Sequence, residues 1–178
     1  MNKLTDSFYD KFRERLLEIE KIAMNRSWWT FGSLIIEKPA SEFEIKAIEE
    51  QVGNFLPRQF KDILVNFSRK VEFFYQIEEK VPEEFKNIFA GGISWDLEKI
   101  PEMLNNYKGW VEASLDPNYN NVSSIEITNR IYPNKTPLLE VDNGDLIIID
   151  NSGNNQVYYL DHEGGNMHGR RLGESFID

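Results

Sequence analysis

The chain has no cysteine at all. That excludes a disulfide framework, a zinc ribbon and a cysteine nucleophile, and it is compatible with a reducing cytosol. Histidine is nearly absent too, with only His162 and His168. No phosphate-cradling glycine-rich motif and no GxSxG elbow occurs. Apolar runs are short; 146–149 is among the longest, far below the ~20 residues that span a bilayer. The opening MNKLTDSFYDKFRERL is charged and periodic, without the apolar core of a signal peptide. We expect a cytoplasmic protein with no membrane partner. Basic charge is in deficit: 20 Lys and Arg stand against 30 Asp and Glu, a net charge of −10. Phosphate backbones are gripped by Lys and Arg that release counterions, so direct nucleic-acid binding is not expected. A basic protein partner fits better, because charge complementarity speeds association and rejects wrong partners. The plainer reading of the same surplus is solubility.

What is present is aromatic and apolar, at 13% and 40%, too rich for a disordered chain. A length of 178 residues suits one domain. Phe8, Phe12, Leu16, Ile19 and Ala23 recur at helical spacing and predict an amphipathic helix over 7–24. Residues 25–39, with Trp28, Trp29 and Phe31 beside Gly32, are expected to form an ordered connection packed onto the domain by its aromatics. Ser41 and Glu44 make a capping box for a helix that buries Ile45, Ile48 and Val52 and ends at Gly53. Leu56-Pro57 opens another, with Phe60, Ile63, Leu64 and Phe67 inward. A strand is predicted over 71–77, a short helix over 82–89 ended by Gly91-Gly92, an extended piece over 93–95 and a helix over 97–113. Three short apolar runs follow, 137–141, 145–150 and 156–160. Asn143-Gly144 between the first two is a strong hairpin signal, so a three-stranded antiparallel meander is expected. Helices first and sheet later argue for an α+β fold, a largely antiparallel sheet of about five to six strands with N-terminal and flanking helices.

Many short matches fall in one register. Ser41-Glu42-Phe43-Glu44-Ile45 leads to Gly53, then Leu56-Pro57, then Gly91-Gly92-Ile93-Ser94-Trp95-Asp96-Leu97. Asn143-Gly144-Asp145, Ile149-Asp150, Val157-Tyr158-Tyr159-Leu160, His162-Glu163-Gly164, His168-Gly169 and Leu172-Gly173-Glu174-Ser175-Phe176 complete the series. Over roughly 39–178 the chain resembles the SUKH superfamily, in the branch related to the yeast cell-wall assembly regulator. The resemblance implies one domain over 1–178, with 1–38 an accessory helix and connection. It marks Leu56, Pro57, Gly92, Trp95, Asn143, Gly144, Asp145, Asp150, Tyr159, His162, Gly169 and Phe176 as structural motif positions. It brings no catalytic residue and no cofactor, and so implies a protein that is not an enzyme. Many bacterial members look like immunity proteins that neutralise a cognate toxin, often a nuclease. Eukaryotic relatives look like regulatory adaptors. The family's final helix would begin near Leu172 and continue past Asp178; the part present is under two turns, marginal alone.

Chemistry at the histidines is disfavoured by spacing. His162 and His168 are six apart with Gly164-Gly165 between, which forbids the helical pair of a zinc protease. A metal-dependent hydrolase built on His162, Glu163 and His168 would need a loop to gather them, and we expect no metal site. The candidates for partner binding are Trp28, Trp29, Glu72, Glu78, Glu79, Glu140, Asp142, Asp145 and Asp150. Trp28 and Trp29 cannot both face inward in a regular strand, which leaves one as an exposed anchor of the kind that dominates interfaces. The acids would steer a toxin domain with a basic surface; otherwise they are a solvated face.

Overall fold

The computed structural model describes residues 6–76, 92–118, 134–141, 144–151, 155–161 and 167–176. Among them are four α-helices and seven strands. The fold is α+β with antiparallel pairing throughout, and the strands form a sheet of three and a sheet of four. Contacts divide the chain into two compact units, Met1–Ile45 with Phe60–Leu97 and Lys46–Gln59 with Glu98–Asp178.

The first unit opens with α1 (Asp6–Asn25). Tyr9, Leu16 and Ala23 recur every seven residues and are buried. Phe12 stacks on Trp95 at 6.2 Å and Tyr9 on Phe67 at 6.1 Å. Ser27, at φ 54, turns the chain into β1 (Trp29–Ile36), a strand where the sequence predicts a connection. Its register with the next strand shifts between Phe31 and Ile35, and Gly32 sits at φ 80. A bulge of this kind breaks the two-residue period by which a strand is recognised. β1 pairs with β2 (Lys70–Gln76), which pairs with β3 (Gly92–Asp96). The Leu34 amide donates to the Glu20 carboxylate of α1 at 2.7 Å.

Helix α2 (Glu42–Val52) starts where its capping box predicts. The Ser41 amide donates to Glu44 Oε2 at 2.7 Å, and the Glu44 amide donates back to Ser41 Oγ at 3.2 Å. Gly53, at φ 69, ends the helix. Helix α3 (Arg58–Asn66) follows Pro57 and buries Phe60, Ile63 and Leu64. Arg69 then reaches Glu37 at 2.7 Å and Glu44 at 3.0 Å, joining the end of β1 to the start of α2.

In the second unit, α4 (Ile100–Leu115) carries Pro101 in its first turn, where a missing N–H costs nothing. The strands β4 (Lys135–Glu140), β5 (Leu146–Asp150), β6 (Val157–Leu160) and β7 (Arg170–Gly173) pair in sequence order. Tyr107 of α4 packs with Leu146, Ile148 and Leu160. The predicted hairpin closes through the Gly144 amide to the Val141 carbonyl at 2.7 Å, with Gly144 at φ 92. Leu172, where a final helix was expected to begin, lies in β7 instead. The helix predicted over 82–89 lies outside the described residues. Among the described residues no helix is long and apolar enough to cross a membrane.

Candidate partner-binding face

Paired residues of an antiparallel ladder point to the same side of the sheet. In the three-stranded sheet Trp29 pairs with Gln76, Phe31 with Phe74 and Ile35 with Glu72. On the other side of β2, Phe74 pairs with Gly92, Glu72 with Ser94 and Lys70 with Asp96. One face therefore collects Trp29, Phe31, Ile35, Phe74, Glu72 and Lys70. The opposite face carries Val71, Phe73 and Trp95, all buried in the core of the unit.

The outward face is open. Trp29 is 53% exposed and Phe31 70%, with ring centroids 6.2 Å apart, and Ile35 is exposed beside them. Phe74 lies over Gly92 so closely that a methyl group there would sit 2.9 Å from its Cδ1. That close approach is a physical reason for glycine at this motif position. Lys70 bridges Glu72 at 3.2 Å and Asp96 at 3.4 Å, so two carboxylates share one ammonium and the trio keeps a single negative charge. Burial alone would lower the Lys70 pKa; Glu72 and Asp96 outweigh it and raise the value above its ordinary range.

The tryptophan pair splits as the alternation requires. Trp29 faces outward, while Trp28 is half-buried and stacks on Tyr75 at 5.8 Å. Burial pushes the Tyr75 phenol up. The Trp28 indole N–H is buried and finds no hydrogen-bond partner among the described residues. Phe31, expected to hold its segment to the domain, is more exposed than Trp29. Neither Phe31, Ile35 nor Phe74 was singled out from sequence as a surface residue. The apolar alternation Trp29–Phe31 was the available signal, masked by the bulge.

Two acids expected on a binding surface are placed elsewhere. Asp145 is 3% exposed and accepts the hydroxyl of buried Tyr159. Asp150 pairs with Lys135 at 2.6 Å across β4 and β5, which are in register at these residues. Both carboxylates are tied into the four-stranded sheet, which takes them out of the set that can meet a partner. Glu140 is exposed at the end of β4. Glu78, Glu79 and Asp142 lie outside the described residues.

The described motif positions are placed as follows. Leu56 and Pro57 are buried, and the Leu56 amide donates to Glu49 Oε1 at 2.7 Å. The Trp95 indole donates to the Ser68 carbonyl at 3.0 Å. Gly169, at φ 77, donates its amide to the Tyr159 carbonyl at 2.8 Å. The Phe176 amide donates to Gln59 Oε1 at 3.3 Å. Asn143 and His162 lie outside the described residues. His168 Nδ1 is 2.9 Å from the Asp161 carbonyl, and among the described residues no group of three His, Asp or Glu side chains could hold a metal.

The family profile described as SMI1 / KNR4 family (SUKH-1) matches residues 39–178. The chain belongs to this family. No curated protein matches it. The SUKH-1 match begins after Lys38, so α1 and β1 stand outside it. Yet β1 completes the sheet whose other strands are SUKH-1 residues, and it supplies Trp29, Phe31 and Ile35 to the open face.

Proposed function

We propose that this SUKH-1 chain is an immunity-type protein that neutralises a cognate bacterial toxin, such as a nuclease, by stoichiometric binding in the cytoplasm. The observation that supports this most is the open face of the three-stranded sheet. Exposed aromatics grouped beside a charged network mark interaction sites in soluble proteins. The anchors are Trp29 and Phe31, with Ile35 and Phe74 around them. Glu72 and Asp96 give that face its negative balance, and the chain's net charge of −10 draws a basic toxin surface. Binding there blocks the toxin's active site or substrate groove and needs no catalytic group. Residues 1–38 act as an accessory element that makes the surface specific to its partner.

Co-expression with a toxin encoded beside this gene tests the reading. The chain rescues growth and binds the toxin one to one, and Phe31→Ala weakens that binding by about 2 kcal/mol or more without moving the melting temperature. Absence of rescue and of binding overturns it. Capture of a housekeeping complex, with no adjacent toxin gene, favours a regulatory adaptor instead.

A further inference from the structure

The bulge in β1 decides which side chain stands beside Glu72. Phe31 pairs with Phe74 and Ile35 with Glu72, so four residues of β1 span the same interval as two of β2. Carried on without that shift, the register of Trp29, Thr30 and Phe31 would set Ser33 opposite Glu72 and Ile35 opposite Lys70. Bulges re-aim side chains, and the one re-aimed here is exposed Ile35. Gly32, at φ 80, lies inside the bulge, and the Leu34 amide next to Ile35 is held by Glu20 of α1 at 2.7 Å. The result is three rows of side chains on one face: Trp29 with Gln76, Phe31 with Phe74, and Ile35 with Glu72. Alternate residues of a strand step by about 7 Å, and paired residues hold their Cβ atoms about 5 Å apart. Past the third row, Glu72 and Asp96 both reach the Lys70 ammonium, which gathers two carboxylates at one point. Among the described residues of this face only these three are charged, and their balance is negative.

We propose that the third row is a cation-reading contact, at which a partner polypeptide lays an arginine stem along Ile35 and sets its guanidinium on Glu72. Apolar side chains of the partner cover Trp29 and the Phe31–Phe74 row before it. The inference rests on the sheet face being the docking surface, and it adds the order of the partner's side chains along that face: apolar, apolar, cationic. An arginine stem buries its methylenes against an apolar neighbour while its head stays polar. The guanidinium bonds a carboxylate through charge-assisted hydrogen bonds. A strand without the bulge would offer the stem a serine instead of Ile35. Glu20 is a positioning residue for this contact, since it acts through the Leu34 amide on the side chain that follows.

The test is an NMR titration of the full chain with acetyl-Leu-Ser-Leu-Ser-Arg-amide at millimolar concentration, beside the same peptide ending in Gln or in Glu. Alternate residues of an extended peptide match the step of the rows. The arginine peptide gives saturable shifts at the Trp29 indole N–H and the Ile35 methyls. The glutamine peptide binds several-fold more weakly and the glutamate peptide more weakly still. Glu72→Gln weakens the arginine peptide about fivefold. Ile35→Ser weakens it about threefold while the melting temperature holds, because the side chain is exposed. Glu20→Ala speeds hydrogen exchange at the Leu34 amide and weakens the peptide; Glu20→Gln, whose amide oxygen still accepts, restores both. No binding, equal binding of the three peptides, or arginine binding unchanged by Glu72→Gln or Ile35→Ser overturns the proposal and leaves toxin rescue to stand by itself. Failed rescue with the peptide series intact overturns the immunity reading alone.

Discussion

Strands β5 and β1 both carry several apolar residues and live in different surroundings. Strand β5, LIIID, buries Leu146, Ile148 and Ile149, so apolar side chains are covered on both faces of the four-stranded sheet. A strand covered on both sides is expected to read as a continuous apolar run. Strand β1, WTFGSLII, instead sets Thr30, Gly32 and Ser33 among its apolar residues, and Trp29, Phe31 and Ile35 stand in solvent. The first unit thus keeps apolar side chains on a surface that its own packing does not use. The second unit draws even carboxylates inward, pairing Asp145 with Tyr159 and Asp150 with Lys135.

The sharpest way to break this contrast is to make the same truncation on opposite faces of one sheet. Phe73 is 1% exposed, and Phe73→Ala should cost about 3–5 kcal/mol in urea denaturation. Phe31→Ala, on the outward face, should change stability by less than about 0.5 kcal/mol. Similar losses from both would show that the outward face is core after all. In the second unit, Tyr159→Phe removes a donor from buried Asp145 and should cost about 1–3 kcal/mol by the same measurement. An unchanged midpoint there would return Asp145 to the surface acids.

Losses below those of the buried positions are expected at the start of α2. Ser41→Ala removes the N-cap and should cost about 1 kcal/mol. The Ser41 hydroxyl and amide, with Arg69 beyond them, hold the Glu44 carboxyl down at about 2 against an ordinary 4.5. A carboxylate depressed by folding contributes stability that is fully present above pH 4.5 and is lost as pH falls through about 2. Glu44→Gln has no such proton to gain. The stability gap between wild type and variant should therefore be flat above pH 5 and close toward pH 2, as followed by urea titrations at each pH.

Helix starts were legible because their signals are local. Ser41 sees Glu44 three residues on, and Pro57 stands next to the helix it opens. The hairpin at Gly144 is local in the same sense. β1 was hidden because its bulge and Gly32 break the period, and β7 because Arg170 and Arg171 show no apolar pattern and only pairing with β6 defines the strand. The acids misled for a related reason. Asp145 and Asp150 flank turn residues and look like solvated hairpin acids, whereas Tyr159 and Lys135, which engage them, lie 14 and 15 residues away. The open face was half legible. Alternation required one tryptophan outward, but the company of Ile35 and Phe74 is a product of register across three strands.

The hydrogen bond from the Leu34 amide to Glu20 bears on how such a chain stays apart from its own copies. Among the described residues β1 is an outer strand of its sheet, and its eight residues carry no charge, the composition of a segment prone to stack on itself. Free amides on such an edge are a template for another strand. Glu20 occupies one of those amides and sets an anionic group against the edge, while the bulge twists the strand out of the flat shape that stacking needs. An incoming strand would have to displace the carboxylate and straighten the bulge before it could pair. Helix α1 therefore guards one amide of the strand that follows it and raises the cost of self-addition at the rim of a sheet that shows aromatics on its face.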